Sequence, residues 1–114
     1  MNWEQILISS ISCIVAAIIT TLVTLKIEKN KKKNIKIKII NSLKEELEAV
    51  DWYNQRSQAC SDENLKKILI HNRNEEKEHA AMLIEWLRQN DSGFQKEIRE
   101  YLNLDTKDIA SAEE

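Results

Sequence analysis

The spacing of apolar residues changes character along the chain. No charged side chain occurs from Ile6 to Leu25. A helix of about 20 residues rising roughly 1.5 Å each matches the ~30 Å hydrocarbon core of a bilayer. From Ile35 the pattern becomes periodic: Ile35, Ile39, Leu43, Leu47, Val50 and Asn54 follow one another at three- and four-residue steps, the signature of one helical face. This predicts a helix from about Ile35 to Ala59. Ser61-Asp62-Glu63 then supplies capping and acidic residues for the start of a second helix, where they meet the positive end of its dipole. The face of that helix reads Leu65, Ile68, Leu69, Asn72, Glu76, His79, Leu83 and Trp86. It is expected to stop at Asn90-Asp91-Ser92-Gly93, which holds the chain's single glycine. A short third helix is expected over Phe94 to Leu102, and a polar, frayed tail from Asn103.

The predicted class is therefore all-α: an N-terminal transmembrane helix, an antiparallel two-helix hairpin and a short C-terminal helix. Its organisation is expected to be 1–34 anchor and basic juxtamembrane segment, 35–103 hairpin domain, and 104–114 flexible tail. Composition agrees, since one Gly, no Pro and six aromatic residues in 114 leave too few turn formers for a sandwich or barrel and no glycine-rich phosphate loop. Neither Gly nor Pro interrupts Ile6 to Leu43, so the anchor either continues into the first hairpin helix or breaks before it.

Charge orients this arrangement. Lys26 to Lys44 hold eight lysines against one glutamate, whereas Glu45 to Glu114 hold nine basic against seventeen acidic residues. A cleaved signal peptide is the alternative to a retained anchor. It would carry Lys or Arg ahead of a shorter apolar core, and Met1-Asn2-Trp3-Glu4-Gln5 has neither. Lys26, Lys29, Lys31, Lys32 and Lys33 flank the span on its C-terminal side, which by the positive-inside rule places the following domain in the cytoplasm. Within the span, Ser9, Cys13, Ala17 and Thr21 repeat every four residues. Such a stripe permits close helix approach, or reflects only a segment rich in small residues. No aromatic residue lies among the lysines, which argues against nucleic acid. Cys13 and Cys60 do not suggest a disulfide framework.

A tight connection around Cys60 makes the two hairpin helices antiparallel neighbours. With the turn centred near Ser61, counting outward sets Glu46 opposite Glu76, and His79 lies one turn beyond Glu76 on the same face. Two carboxylates and an imidazole on a helix seam are costly unless paired or metal-bound. Carboxylate-bridged di-iron bundles use one Glu from each of two helices and a Glu-x-x-His pair from each of the other two. This hairpin offers half that set, so a metal reading requires a homodimer. The competing reading is a solvated acidic helix with His79 at its edge.

The stretches Glu45-Glu46-Leu47-Glu48-Ala49-Val50-Asp51-Trp52-Tyr53-Asn54-Gln55-Arg56 and His71-Asn72-Arg73-Asn74-Glu75-Glu76-Lys77-Glu78-His79-Ala80-Ala81-Met82 closely resemble the encapsulated ferritin family. The resemblance covers about Ile35 to Leu102. It implies that the hairpin is half a ferritin, that dimerisation completes a four-helix bundle, and that dimers assemble into a decameric ring. It also implies that Glu46, Glu76 and His79 ligate iron in a ferroxidase centre shared by two protomers. By the same resemblance Glu45 and Glu48 lead iron toward that centre, and Trp52 and Tyr53 lie beside it. Trp52 is expected chiefly as a packing residue, because large aromatics in a hairpin usually pack. His71 is expected as a hydrogen-bonded surface residue, and Cys60 as inert. Family members bound for an encapsulin shell usually end in a targeting peptide with a Gly-Ser-Leu core. Here the end reads Ile109-Ala110-Ser111-Ala112-Glu113-Glu114, so shell cargo is not expected, and attachment to a membrane stands in for enclosure.

The expected function is thus iron oxidation by dioxygen at a shared centre, with the domain on the cytoplasmic side. Zinc or manganese would fit the same ligands. The alternatives are a non-enzymatic, membrane-tethered oligomerisation or adaptor protein with structural metal at most, or a hairpin that docks on a partner ferritin or shell.

Overall fold

A computed structural model describes residues 2–102, 104–105 and 107–112. Its elements are α1 (Trp3–Ala59), α2 (Glu63–Asn90) and α3 (Ser92–Tyr101), with no strand among the described residues. The all-helical class and the element order expected from the periodicity are those observed. Two compact units divide the chain, one ending at Ile35 and the other beginning at Lys36. The expected tail has no regular helix over its described residues. Met1, Asn103, Thr106, Glu113 and Glu114 lie outside the described residues.

α1 is one unbroken helix of 57 residues, as the absence of Gly and Pro allows. Asn2 caps it, its Oδ1 accepting from the Gln5 N–H at 2.9 Å. In the first unit every described residue is exposed, and the large apolar side chains Leu7, Ile8, Ile11, Ile14, Ile18, Ile19 and Leu22 gather on one side of the helix. α1 is the one helix among the described residues long and apolar enough to cross a membrane, by length and composition. Four of its hydroxyls bond back to the helix: Ser10 donates to the Ile6 carbonyl, Thr20 to the Ala16 carbonyl and Thr24 to the Thr20 carbonyl at 2.9 Å, and Thr21 to the Ala17 carbonyl at 3.0 Å. Such back-bonding gives these hydroxyl protons a partner on an apolar surface.

The second unit is a hairpin closed by Cys60, Ser61 and Asp62. Asp62 caps α2 by accepting from the Leu65 N–H at 2.8 Å, and the Cys60 thiol donates to the Asp62 carbonyl at 3.4 Å. The inward line of α1 is Ile39, Leu43, Glu46, Val50, Tyr53 and Ser57. This shifts the expected face: Ile35 and Leu47 point outward and are exposed. On α2, Leu65 and Ile68 are likewise exposed, whereas Ala80 and Leu87, absent from the expected face, are buried. A two-helix hairpin can bury only the narrow seam where its helices touch, so the edges of a wider apolar stripe remain uncovered.

Two polar cross-links span this seam. Arg73 Nη1 donates to Asn54 Oδ1 at 3.1 Å near the turn, and Lys36 Nζ lies 3.3 Å from Asp91 Oδ2 at the open end. α2 ends at Asn90, within the Asn90-to-Gly93 stretch expected to stop it, while Gly93 itself lies within α3. The junction is set by Asp91, which leaves helical geometry at φ −133° and accepts from the Phe94 N–H at 3.1 Å. α3 consequently begins at Ser92, two residues earlier than expected.

Candidate metal centre

Glu46 projects from α1, and Glu76 and His79 project from α2. One ligand atom of each lies within 4.8 Å of the others. His79 Nδ1 is 3.2 Å from Glu76 Oε2 and 3.6 Å from Glu46 Oε2. The counting that set Glu46 opposite Glu76 across a three-residue turn therefore brings together the three residues singled out in the sequence. Both carboxylates are half-buried, with side chains 27% and 22% exposed, and His79 is more open.

The cluster polarises its own protons. The hydrogen bond with Glu76 holds Glu46 above the usual carboxylate value. Burial and the Glu76 charge add to this, while His79 opposes it. Glu76 is held low, first by the hydrogen bond it receives from Glu46 and then, against burial, by His79. Its hydrogen bond to Glu76 raises His79, with the Glu46 charge helping and desolvation opposing. Between the two carboxylates a proton is thus favoured on Glu46 over Glu76, and both carboxylates favour the protonated form of His79.

The donor set suits a divalent first-row ion: hard carboxylate oxygens and one imidazole. Two donors on a zinc-sized ion stand at most roughly 4.2 Å apart, so a small side-chain adjustment brings all three into range. Three donors also leave coordination positions open. A cation here competes with protons for Glu46 and His79, because each ligand must be deprotonated to bind.

The remaining candidates lie elsewhere. Glu45, Glu48, Ala49 and Trp52 line a shallow depression of about 300 Å³ on the outer side of α1. Glu48 is 3.7 Å from Lys44 Nζ. Trp52 corrects the packing expectation. It is 60% exposed, and the Arg56 guanidinium lies over its ring at 4.2 Å, a surface cation–π pair. Tyr53 is half-buried on the seam. His71 is a surface residue 3.0 Å from Glu75.

Sequence reasoning missed the Asn54–Arg73 and Lys36–Asp91 cross-links. The count that matched Glu46 to Glu76 sets Asn54 level with Ile68 and Lys36 level with Trp86, so it gave no signal for either pair.

With this geometry in view, comparison with known proteins is decisive. Residues 23–105 match the EncFtn-like family. The chain belongs to that family. A "Ferritin-like protein" of Thermotoga maritima is 55% identical over 78 residues, 68% of each chain. An "Encapsulated ferritin-like protein" of Rhodospirillum rubrum is 60% identical over 63 residues, which cover 55% of this chain and 45% of that one. The match thus spans under half of the Rhodospirillum rubrum relative. Among solved structures, the crystal structure of a Nitrosomonas europaea protein aligns with TM-score 0.63 at 57% identity, covering 65% of this chain and 81% of that one. The family match takes in α2, α3 and all of the metal-site residues of this EncFtn-like chain, but not the first 22 residues.

Proposed function

We propose that this EncFtn-like chain is a membrane-anchored, ferritin-like ferroxidase. It oxidises Fe(II) to Fe(III) with dioxygen at a di-iron centre shared between two protomers, for iron storage or detoxification. The observation that carries the reading is the convergence of Glu46, Glu76 and His79 ligand atoms within 4.8 Å, contributed by two antiparallel helices. Family membership supports the same chemistry.

Ferrous iron is the substrate. Each ion gives up one electron, and dioxygen is the acceptor. The carboxylates favour the ferric product because their negative charge stabilises the higher oxidation state. Glu76, whose pKa is held low, offers an anionic ligand, and an arriving ion favours the ionised form of Glu46 beside it. Three donors do not complete a two-metal site, so a second copy related by a two-fold axis supplies the same three and closes a four-helix bundle. The uncovered apolar side chains of the hairpin, Leu47, Leu65, Ile68 and Met82, are the material for that contact. In this reading the apolar segment of α1 crosses a bilayer and the lysine flank keeps the ferritin-like domain on the cytoplasmic side.

The test adds ferrous iron under air to the full chain in mild detergent and follows ferric absorbance. Glu46→Ala, Glu76→Ala and His79→Ala should each abolish turnover while the chain stays helical by circular dichroism. Unchanged rates in all three would overturn the reading in favour of a non-enzymatic tethered oligomerisation protein.

A further inference from the structure

The lysines that follow the apolar segment have a geometry beyond their number. Lys26, Lys29, Lys31, Lys32 and Lys33 are all exposed. Among the described residues none has a carboxylate within ion-pairing distance, whereas Lys36 pairs with Asp91 and Lys44 with Glu48. Glu28 is the single acid in this stretch. At about 100° per residue, Lys26, Lys29, Lys32 and Lys33 fall within an arc of roughly 120°, and Lys31 projects from the opposite side. The widest gap, roughly 140°, holds polar Asn30 as well as Ile27. No apolar stripe therefore exists on which this stretch could lie flat against a surface.

The collar's height agrees with this. Lys26 to Lys33 rise about 10 Å along the axis, the order of one headgroup layer plus the reach of a lysine stem. Directly before it, α1 carries Ile18, Ile19, Leu22, Val23 and Leu25 with no charged residue, and all five are exposed, as suits a helix in contact with lipid. Four of the charges continue the helix side that carries Ile11, Ile14, Ile18 and Leu22, and Lys31 adds a fifth on the opposite side. Lipid in contact with that aliphatic side meets the ammonium groups at its headgroup level.

We propose that Lys26, Lys29, Lys31, Lys32 and Lys33 form a collar that gathers anionic phospholipid headgroups around the protein in the cytoplasmic leaflet. The inference rests on the anchor reading above and adds a ligand class to it. Five uncompensated ammonium groups in one headgroup layer attract negative lipid with a ceiling of roughly fivefold per lysine. The enriched lipid then forms an anionic annulus around each protomer.

The experiment reconstitutes the full chain in vesicles of phosphatidylcholine and phosphatidylglycerol and measures the relative association of the two spin-labelled lipids by electron spin resonance. At low salt the phosphatidylglycerol label should be preferred by about threefold or more, and the preference should shrink as salt shortens the Debye length. Replacing all five lysines by Gln should remove it, while replacing all five by Arg should keep it. Equal association of the two lipids with the parent chain at low salt overturns the proposal, as does a preference indifferent to salt. The salt series and the Arg variant decide the matter even if the Gln variant fails to insert. Normal iron turnover with no lipid preference would sink the collar alone, whereas a chain that does not enter vesicles at all would sink the anchor as well.

Discussion

Replacing Glu46 by Gln should stabilise the metal-free protein and weaken its response to metal. Without a cation, the half-buried carboxylates of Glu46 and Glu76 bring ligand atoms within 4.8 Å of each other. Two unit charges at that separation repel by about 3.5 kcal/mol at an effective dielectric constant near 20 and about 0.9 kcal/mol in water. About a quarter of each side chain remains open to solvent. The lower end therefore applies, about 1 kcal/mol after screening. Because Glu76 raises the pKa of Glu46 on folding, the folded state binds more protons than the unfolded chain above the ordinary carboxylate range. Stability thus falls as pH rises from that range through the raised value, and the penalty is complete above it. Gln is the uncharged isostere of protonated Glu46 and removes the penalty. Melting of the full chain in detergent at neutral pH should shift upward by about 5 °C in the metal-free variant, with the gain vanishing under mildly acid conditions where the parent is protonated too. Added Zn(II) should raise the parent's melting temperature by mass action and the variant's much less. A metal-free variant less stable than the parent at neutral pH, or one with an undiminished metal response, would refute the placement of these carboxylates.

Other consequences concern different parts of the hairpin. Leu87 is fully buried, and its replacement by Ala should destabilise the chain by about 3 kcal/mol, read as a lower denaturant midpoint with little change in slope. His79, raised by its bond to Glu76, should titrate above 6.5 in nuclear magnetic resonance spectra. Its contribution to stability is full below 6.5 and lost as pH rises through the raised value, and Glu76→Gln should bring the titration back down. Asp91 is held low by the Phe94 N–H and then by Lys36, so its stabilisation is complete above the ordinary carboxylate value and fades as pH falls through the lowered one. Asp91→Ala should speed amide exchange in the first turn of α3 while leaving the middle of α2 protected.

How much of this could be read in advance depended on whether local or cross-helix information set each feature. The helices, the turn at Cys60 to Asp62 and the level of Glu46 against Glu76 follow from short-range pattern and counting, because a tight turn leaves antiparallel helices little freedom in register. The burial face was legible only to within one position. Leu47 and Leu65 look as core-like as Leu43 and Leu87, and only the crossing of the two helices decides which pair faces inward. Small residues were the blind spot. Ser57 and Ala80 are each 4% exposed because small side chains allow the backbones to approach closely, and apolar periodicity does not mark them. The single glycine suggested a helix stop, yet the stronger local device was the Asp91 carboxylate capping the next helix. Trp52 was expected in the packing and instead stacks with Arg56 at the surface, because α1 already fills its narrow seam with Val50 and Tyr53.

The central claim is that Glu46, Glu76 and His79 of two copies together hold the iron that is oxidised. Crystals of the full chain grown with ferrous iron and measured at the iron absorption edge test it most directly. The account predicts two anomalous peaks roughly 4 Å apart across a two-fold axis, bounded by those three side chains from each protomer. Iron held by a single chain with no second copy in reach, or no iron at this cluster, would contradict it.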